Sequence, residues 1–248
     1  KEIFSLDNLN YTHSRDYFKS GIKICRNMGL SFEKGFECEI KSNIPIQAGT
    51  SSSSAIVVSW INFLAQLADK KPKWSLEKIG KLAYQTECVE FGEPGGMMDQ
   101  YITSCGGMLL IKSEPKVSVE KIDSELGSFV LGDSGELKNT LDILDRCKTL
   151  RMKIFEKIKS VTSQFDLHTC KDDLDVSFLS KIEKNLFFAT LKNRNLLEKS
   201  LKELKKGKVN PIYFGELLNQ QHRILRDDLN VSTGKIESML SASKQAGA

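Results

Sequence analysis

A glycine followed by five hydroxyl-bearing residues is the first stretch whose chemistry suggests a function. Gly49 precedes Thr50 and the four serines Ser51 to Ser54, and residues 55–64 are apolar almost throughout. Such an apolar run predicts a buried helix, and the free N–H groups at a helix start lie at the positive end of its dipole, where phosphate binds. Because Ser and Thr also cap ordinary helices, the turn alone fits a phosphate site and a simple cap equally well. A Walker A loop is excluded, because no Gly-Lys-Ser/Thr ending is present.

Two acidic side chains further along could act together with this turn. The apolar positions of residues 76–83 continue at the same helical spacing to Glu87, which places a carboxylate on a buried stripe. A buried carboxylate is costly unless a cation meets it, so either an ion pair with Lys or Arg or a metal ion fits. Asp99 follows a turn rich in glycine, residues 92–96, where backbone can approach a ligand closely. An aspartate in that place is more often a helix N-cap than a catalytic acid.

Hydrophobic periodicity predicts the elements that would position these residues. Helices are expected at 16–28, 55–64 and 75–87, with Ser75 as an N-cap. Strands are expected at 36–44 and 128–131, and residues 106–111 predict a hairpin turn followed by a strand. The second half reads as helical over 137–158, 182–204, 212–225 and 236–246. We therefore predict an N-terminal domain over residues 1–126 and a C-terminal domain over residues 127–248.

Composition limits the class of protein. The chain has 248 residues, 40% hydrophobic and 27% charged, with a formal charge of +4. These values are typical of a globular chain with a core, and they predict no nucleic-acid partner. No apolar run approaches the ~20 residues of a membrane span, so no membrane partner is expected. The six cysteines contain no C-x-x-C pair and the three histidines lack zinc-ligand spacing, which favours reduced thiols and a cytoplasmic protein.

Two motifs in order resemble a known family. Pro45 to Ala55 resembles the phosphate loop of the GHMP kinases, written roughly P-x-x-A-G-L-S-S-S-A, and Glu87 to Gln100 resembles the galactokinase branch, E-x-x-x-x-G-x-P-x-G-x-M-D-Q. Segments of the second half are similar to the C-terminal helices of galactokinases: Phe214 to Asn219, His222, Leu225 to Asp228, and Val231-Ser232. The two motifs together identify the chain as a galactokinase-like GHMP kinase.

The resemblance implies an ATP-dependent phosphotransferase with an alcohol acceptor, acting on a monosaccharide with ATP and Mg²⁺. The implied fold is α+β with two domains, a ribosomal-protein-S5-like N-terminal domain and a ferredoxin-like C-terminal domain, with the site in the cleft between them. Asp99 would be the catalytic base or positioning group and Gly96 would contact the substrate. Mg²⁺ would be bound by Ser53 and Glu87. The triphosphate would be bound by Gly49, Ser51, Ser52, Ser53 and Ser54.

Three departures from the family pattern shape the remaining alternatives. An N-terminal arginine-containing signature and a glycine-rich third motif have no counterpart, so we expect a chain truncated at both ends that is nearly inactive in isolation. Residues 138–146 lack the sugar-contacting tyrosine of galactokinases, and Asn139-Thr140 looks closer to mevalonate-kinase-like members. The alternatives are therefore a GHMP kinase with another acceptor, such as mevalonate or another sugar, and a non-catalytic ligand sensor. The Lys-rich segment 181–208 could bind an acidic partner, although a solvated helix face explains it.

Overall fold

The structure, a computed structural model, describes residues 2–136 and 140–247. It divides into two compact units, the first formed by Lys1–Lys121 with Glu136–Leu141 and the second by Ile122–Gly135 with Asp142–Ala248. The domain division that we predict after residue 126 lies inside the first segment of the second unit, and it stays a prediction. Within the described part of the chain, none of the helices combines the length and the apolar character that crossing a membrane requires.

Four helices pack against one another in the first unit. Both α1 and α3 begin at side-chain caps: Asp16 accepts from the backbone N–H of Lys19, and Ser75 accepts from that of Lys78. The helices predicted at the start of the chain, after the serine turn and after Ser75 are thus present. Their bounds are α1 Tyr17–Asn27, α2 Ser52–Leu67, α3 Leu76–Tyr84, continued by a π-helix Gln85–Val89, and α4 Met98–Cys105.

The core of this unit is built around α2, whose inward residues include Val57, Ile61 and Leu64. Two glycines let neighbouring helices approach closely. A Cβ on Gly21 of α1 would lie 2.5 Å from the Trp60 ring, and a Cβ on Gly80 of α3 would lie 3.1 Å from the Cα of Tyr101 in α4. The close α3–α4 contact brings the start of α4, with Asp99 and Gln100, against the end of α3.

The strand predictions are only partly correct. Strand β1, Met108–Lys112, was expected, and it pairs with β2, Ser118–Ile122, which was not. The strands expected at 36–44 and 128–131 are not strands in the structure. A strand needs a neighbour that takes its backbone hydrogen bonds, and β1–β2 is the only strand pair among the described residues. In the two segments that are not strands, apolar side chains such as Ile40 and Val130 are exposed.

The second unit is mainly helical, as predicted, although residues 137–139 of its first expected helix lie outside the described residues. Its two apolar clusters centre on Phe187 and on Leu217. A single parallel bridge joins Glu125 to Lys208. The bounds are α5 Thr140–Val161, α6 Lys181–Leu204, α7 Pro211–Arg223, continued by a π-helix Ile224–Asp228, and α8 Gly234–Gln245.

Candidate active site

The serine turn is a strained loop rather than an ordinary serine cap. Gln47, Gly49 and Ser51 all have left-handed backbones, with φ of 58°, 75° and 56°, and for the two non-glycine residues this costs about 1–3 kcal/mol each. Ser51 occupies the N-cap position of α2, yet its side chain makes no capping hydrogen bond. The hydroxyl of Thr50 donates instead to the carbonyl of Pro45, at 3.1 Å. Strain of this kind indicates a loop shaped for something other than helix capping.

The first turn of α2 offers backbone donors to a ligand. The helix begins at Ser52, and the N–H of Ala55 donates to the carbonyl of Ser51 at 2.9 Å. The three N–H groups before Ala55 have no acceptor within the helix. The turn therefore presents donors at the positive end of the helix dipole, which is the arrangement that binds phosphate.

A buried hydrogen-bonded cluster lies at this end of α2. The Ser54 hydroxyl donates to Oε2 of Glu87 at 2.8 Å, and the Gln100 amide Nε2 donates to the same oxygen at 2.7 Å and to Ser54 Oγ at 3.3 Å. Ser54, Glu87 and Gln100 are only 1%, 6% and 2% exposed. The hydroxyl that contacts Glu87 is thus that of Ser54, whereas the family resemblance assigns Ser53 beside it. Gln100 was missed as a site residue, although it closes the M-D-Q motif directly after Asp99.

Glu87 is buried as its spacing predicts, but it does not lie on a continuous α-helix. The α-helical spacing ends at Tyr84, and Glu87 belongs to the π-helix Gln85–Val89. The Ser20 hydroxyl of α1 donates to the carbonyl of Thr86 in this π-helix, at 2.9 Å. Single π-helical turns inside helices are frequently found at functional sites. Glu87 therefore does not continue the α3 stripe at α-helical spacing.

The Glu87 carboxylate has neutral hydrogen-bond partners. No salt bridge reaches it from the residues that the structure describes, so the simple ion-pair interpretation finds no support. The pKa of Arg15 is raised, chiefly by its hydrogen bonds to Glu93 and in smaller part by the charges of nearby groups, Glu87 among them. A buried carboxylate without a direct cation is the group that a metal ion would complete. Burial, with Glu87 and Glu93 nearby, raises the pKa of the neighbouring Cys88 thiol to about 12, so Cys88 stays protonated and is a poor metal ligand.

Asp99 and Gly96 lie on the other side of the glycine turn. Met97 occupies the N-cap position of α4 and Asp99 lies in the first helical turn, so Asp99 is not the cap. Its half-buried carboxylate makes no hydrogen bond or ion pair with the described residues. Gly96 is exposed, and a Cβ added there would meet nothing within 4 Å. Neither packing nor a left-handed backbone requires glycine at residue 96.

The structure therefore gathers several of the predicted residues within one unit. The hydrogen bonds of Gln100 link Glu87 to Ser54 of the serine turn. Gln100 directly follows Asp99 in the chain. The arrangement contains phosphate donors, a buried oxygen ligand and an uncommitted carboxylate. Such a set suits phosphoryl transfer to an acceptor held near Asp99.

A second group of acidic and histidine side chains was not expected from the sequence. Ligand atoms of Glu2, His13 and Asp16 lie within 4.8 Å of one another. The ammonium of the buried Lys19 lies between two of them, 2.9 Å from Asp16 and 3.2 Å from Glu2. Lys19 already supplies the cation there, so this group is a structural charge network.

Comparisons with known proteins agree with the motifs. Residues 16–107 match the family described as GHMP kinases N terminal domain. The galactokinase of Clostridium beijerinckii is 27% identical over 252 residues, covering 96% of this chain and 63% of its own. That of Staphylococcus carnosus is 26% identical over 261 residues, covering 98% and 64%. The mevalonate kinase of Pyrococcus abyssi is 26% identical over 214 residues, covering 86% and 54%.

A solved structure gives the fold. Lactococcus lactis galactokinase complexed with galactose has a TM-score of 0.83 and 21% identity, covering 99% of this chain and 65% of its own. The chain thus has the GHMP kinase fold, with mixed helix and sheet, and it spans less than two thirds of the length of the galactokinases that it matches. As its two motifs predict, the chain is similar to the GHMP kinases over residues 16–107 and to galactokinases over most of its length.

Proposed function

We propose that the protein containing this chain is an ATP-dependent sugar kinase, which transfers the γ-phosphate of ATP to the anomeric hydroxyl of a monosaccharide. The observation that carries the proposal is the buried Glu87 carboxylate, held by Ser54 and Gln100 between the serine turn and the helix of Asp99. The galactokinase relatives support a sugar as acceptor, and one neighbour was crystallised with galactose. The ribosomal-protein-S5-like and ferredoxin-like assignments of the two domains belong to the same proposal.

The serine turn is the proposed triphosphate site. Gly49 allows close approach, and the amides of Ser51 to Ser54 with the hydroxyls of Ser51 to Ser53 provide donors at the start of α2. These groups are fixed before the nucleotide arrives, so they stabilise charge on the transferring phosphoryl group without reorganising.

Glu87 is the proposed protein carboxylate for Mg²⁺. Magnesium prefers oxygen ligands and is commonly bound by one or two carboxylates together with substrate phosphates. The serine hydroxyls at the start of α2 and the Glu87 carboxylate fit that preference. The Ser54 hydroxyl is buried and already bonded to Glu87 and Gln100, whereas Ser53 is half-exposed. We therefore assign Ser53 as the second ligand and Ser54 with Gln100 as the groups that orient Glu87. When bound, Mg²⁺ would neutralise charge on the β- and γ-phosphates.

Asp99 is the proposed acid–base residue. Its carboxylate is uncommitted, so it can accept a hydrogen bond from the acceptor hydroxyl, align the oxygen and take the proton as transfer proceeds. The exposed peptide at Gly96 lies three residues before it and would contact the sugar.

An ADP-release screen on the complete protein that carries these residues tests the proposal. With ATP and Mg²⁺, ADP should appear when galactose or a related monosaccharide is added. Mevalonate belongs in the screen, because mevalonate kinases are also among the relatives. The resemblance of Asn139-Thr140 to mevalonate-kinase-like members falls on side chains outside those that the structure describes. Sugar binding by calorimetry without ADP release would support the sensor alternative instead.

A further inference from the structure

Two ion pairs connect residues in and before α1 to residues 90–93, which follow the π-helix Gln85–Val89 and include the start of the glycine turn. The Arg15 guanidinium makes a two-pronged contact with Glu93, with Nη2 to Oε2 at 2.9 Å and Nε bonded to Oε1. The Glu93 side chain is only 13% exposed. The Arg15 backbone is left-handed, with φ of 58°, so the chain accepts local strain where this contact forms.

The second ion pair contacts the same segment at Glu90, three residues before Glu93. Lys23 pairs with Glu90 Oε1, and the Tyr11 hydroxyl donates to that oxygen at 2.6 Å. The Lys23 ammonium also lies 5.2 Å from the centre of the Tyr11 ring. Phe91 packs between the pairs, with its ring centre 5.3 Å from that of Tyr11 and 5.9 Å from that of Tyr17.

The glycine turn has few packing contacts. Cβ atoms placed on Gly92 or Gly96 would meet nothing within 4 Å, whereas one on Gly95 would lie 3.1 Å from Sγ of Cys88, and three glycines give this backbone wide conformational freedom. Apart from the contact at Gly95, the turn is restrained at its ends. On the C-terminal side the turn runs into α4, and on the N-terminal side residues 90–93 are held by the contacts described above.

We propose that the Arg15–Glu93 and Lys23–Glu90 pairs form a clasp that fixes the glycine turn, residues 92–96, and that Arg15 and Glu93 are thereby positioning residues for the acceptor side of the site. The link to the acceptor rests on the proposed function, because Gly96 and Asp99 follow the clasped segment directly. Bidentate, partly buried Arg–carboxylate pairs hold geometry better than exposed ion pairs. The clasp acts on the acceptor loop and leaves the serine turn untouched.

Kinetics of the complete protein test the positioning role. Arg15→Gln should raise the sugar KM roughly tenfold, the effect of losing one charge-assisted contact, and change the ATP KM by less than about twofold. Arg15→Lys should fall between wild type and Arg15→Gln, because it keeps the charge and loses the second prong. The Arg15→Gln/Glu93→Gln double variant should be no worse than the poorer single one. An equal rise in both KM values would overturn the positioning role.

Lys157→Gln provides a matched control for Lys23→Gln. The Lys157–Glu183 pair has side chains 57% and 16% exposed, against 45% and 19% for Lys23–Glu90, and it lies in the second unit. Lys23→Gln should raise the sugar KM a few-fold and the control should leave it unchanged. Similar losses in both variants would contradict the clasp.

Hydrogen exchange separates the clasp from the kinase proposal, because it needs no activity. In the ligand-free protein, Arg15→Gln should speed amide exchange over residues 92–97, and Lys157→Gln should not. Faster exchange in a protein that releases no ADP with any acceptor would support the clasp and reject the kinase proposal. Unchanged exchange in Arg15→Gln and in the double variant would reject the clasp, and Arg15→Lys keeps this test available if the glutamine variant fails to fold.

Discussion

Replacing Ser54 and Ser53 separately distinguishes an orienting hydroxyl from a ligand hydroxyl. Ser54 is buried and donates a 2.8 Å hydrogen bond to the Glu87 carboxylate. Hydrogen bonds to charged groups contribute about 1.5–3 kcal/mol, and the loss is felt in full when the carboxylate stays buried. Ser54→Ala leaves Gln100 as the remaining donor to that oxygen. We therefore expect the free energy of unfolding of the ligand-free protein to fall by about 1.5–3 kcal/mol.

Ser53→Ala is the matched control, one residue away in the same helical turn. The half-exposed Ser53 hydroxyl makes no hydrogen bond to the described residues, so stability should change by less than about 0.5 kcal/mol. If Ser53 is the metal ligand, this variant should raise the Mg²⁺ concentration for half-maximal ADP release at least roughly tenfold, as expected when a ligand or its supporting group is lost. Urea unfolding measures the first effect and a Mg²⁺ titration at fixed ATP measures the second.

The two variants can also refute this reasoning. Unchanged stability in Ser54→Ala would show that the Ser54–Glu87 bond contributes little to folding. A normal Mg²⁺ dependence in Ser53→Ala, together with a large loss in Ser54→Ala, would transfer the ligand role to Ser54.

Two further predictions concern the acceptor loop and the second unit. Gly96→Ala should leave the free energy of unfolding within about 0.5 kcal/mol of wild type, because the added methyl group meets open space, yet raise the sugar KM; an unchanged KM would remove Gly96 from the site. The pKa of Glu237 is lowered to about 2 by hydrogen bonds from Ser232, His222 and Arg226. Since this folded-state pKa lies below the unfolded value of about 4.3, the carboxylate stabilises the fold above that pH and loses its effect as pH falls towards 2. The difference in free energy of unfolding between wild type and Glu237→Gln, measured by urea unfolding, should therefore shrink on acidification. A difference independent of pH would contradict the lowered pKa of Glu237.

The sequence predicted the parts of the site that depend on spacing. Glu87 falls on the apolar stripe of residues 76–83, and burial of its carboxylate followed from that stripe. The π-helix that carries it was not predictable, because no residue in Gln85–Val89 marks the change of helical period. The choice between Ser53 and Ser54 also needed coordinates, since adjacent helical residues differ only in direction.

Strands were harder to predict than helices for a physical reason. A helix such as α6 satisfies its own backbone, so its leucine spacing was sufficient to place it. Residues 36–44 alternate as a strand should, yet a strand depends on a partner that periodicity cannot identify. Strand β2 was missed because Ser118–Ile122 has only two apolar residues in five.

Contacts between residues far apart in the sequence could not be predicted from the sequence. Arg15 and Glu93 are 78 residues apart, and their pairing follows from the packing of α1 against the π-helix after α3. Gln100 could have been found from its place in the M-D-Q motif, but its contact with Ser54 follows from the packing of α4 against α2.

The rate of sugar-dependent ADP release in wild type and in Asp99→Asn tests the central claim most directly. The complete protein should release ADP when ATP, Mg²⁺ and galactose or a related monosaccharide are present. Because Asp99 has the proposed acid–base role, Asp99→Asn should lower that rate roughly 100- to 10,000-fold while ATP binding, measured by calorimetry, is retained. A near-normal rate in Asp99→Asn, or no ADP release by wild type with any sugar, would contradict the account.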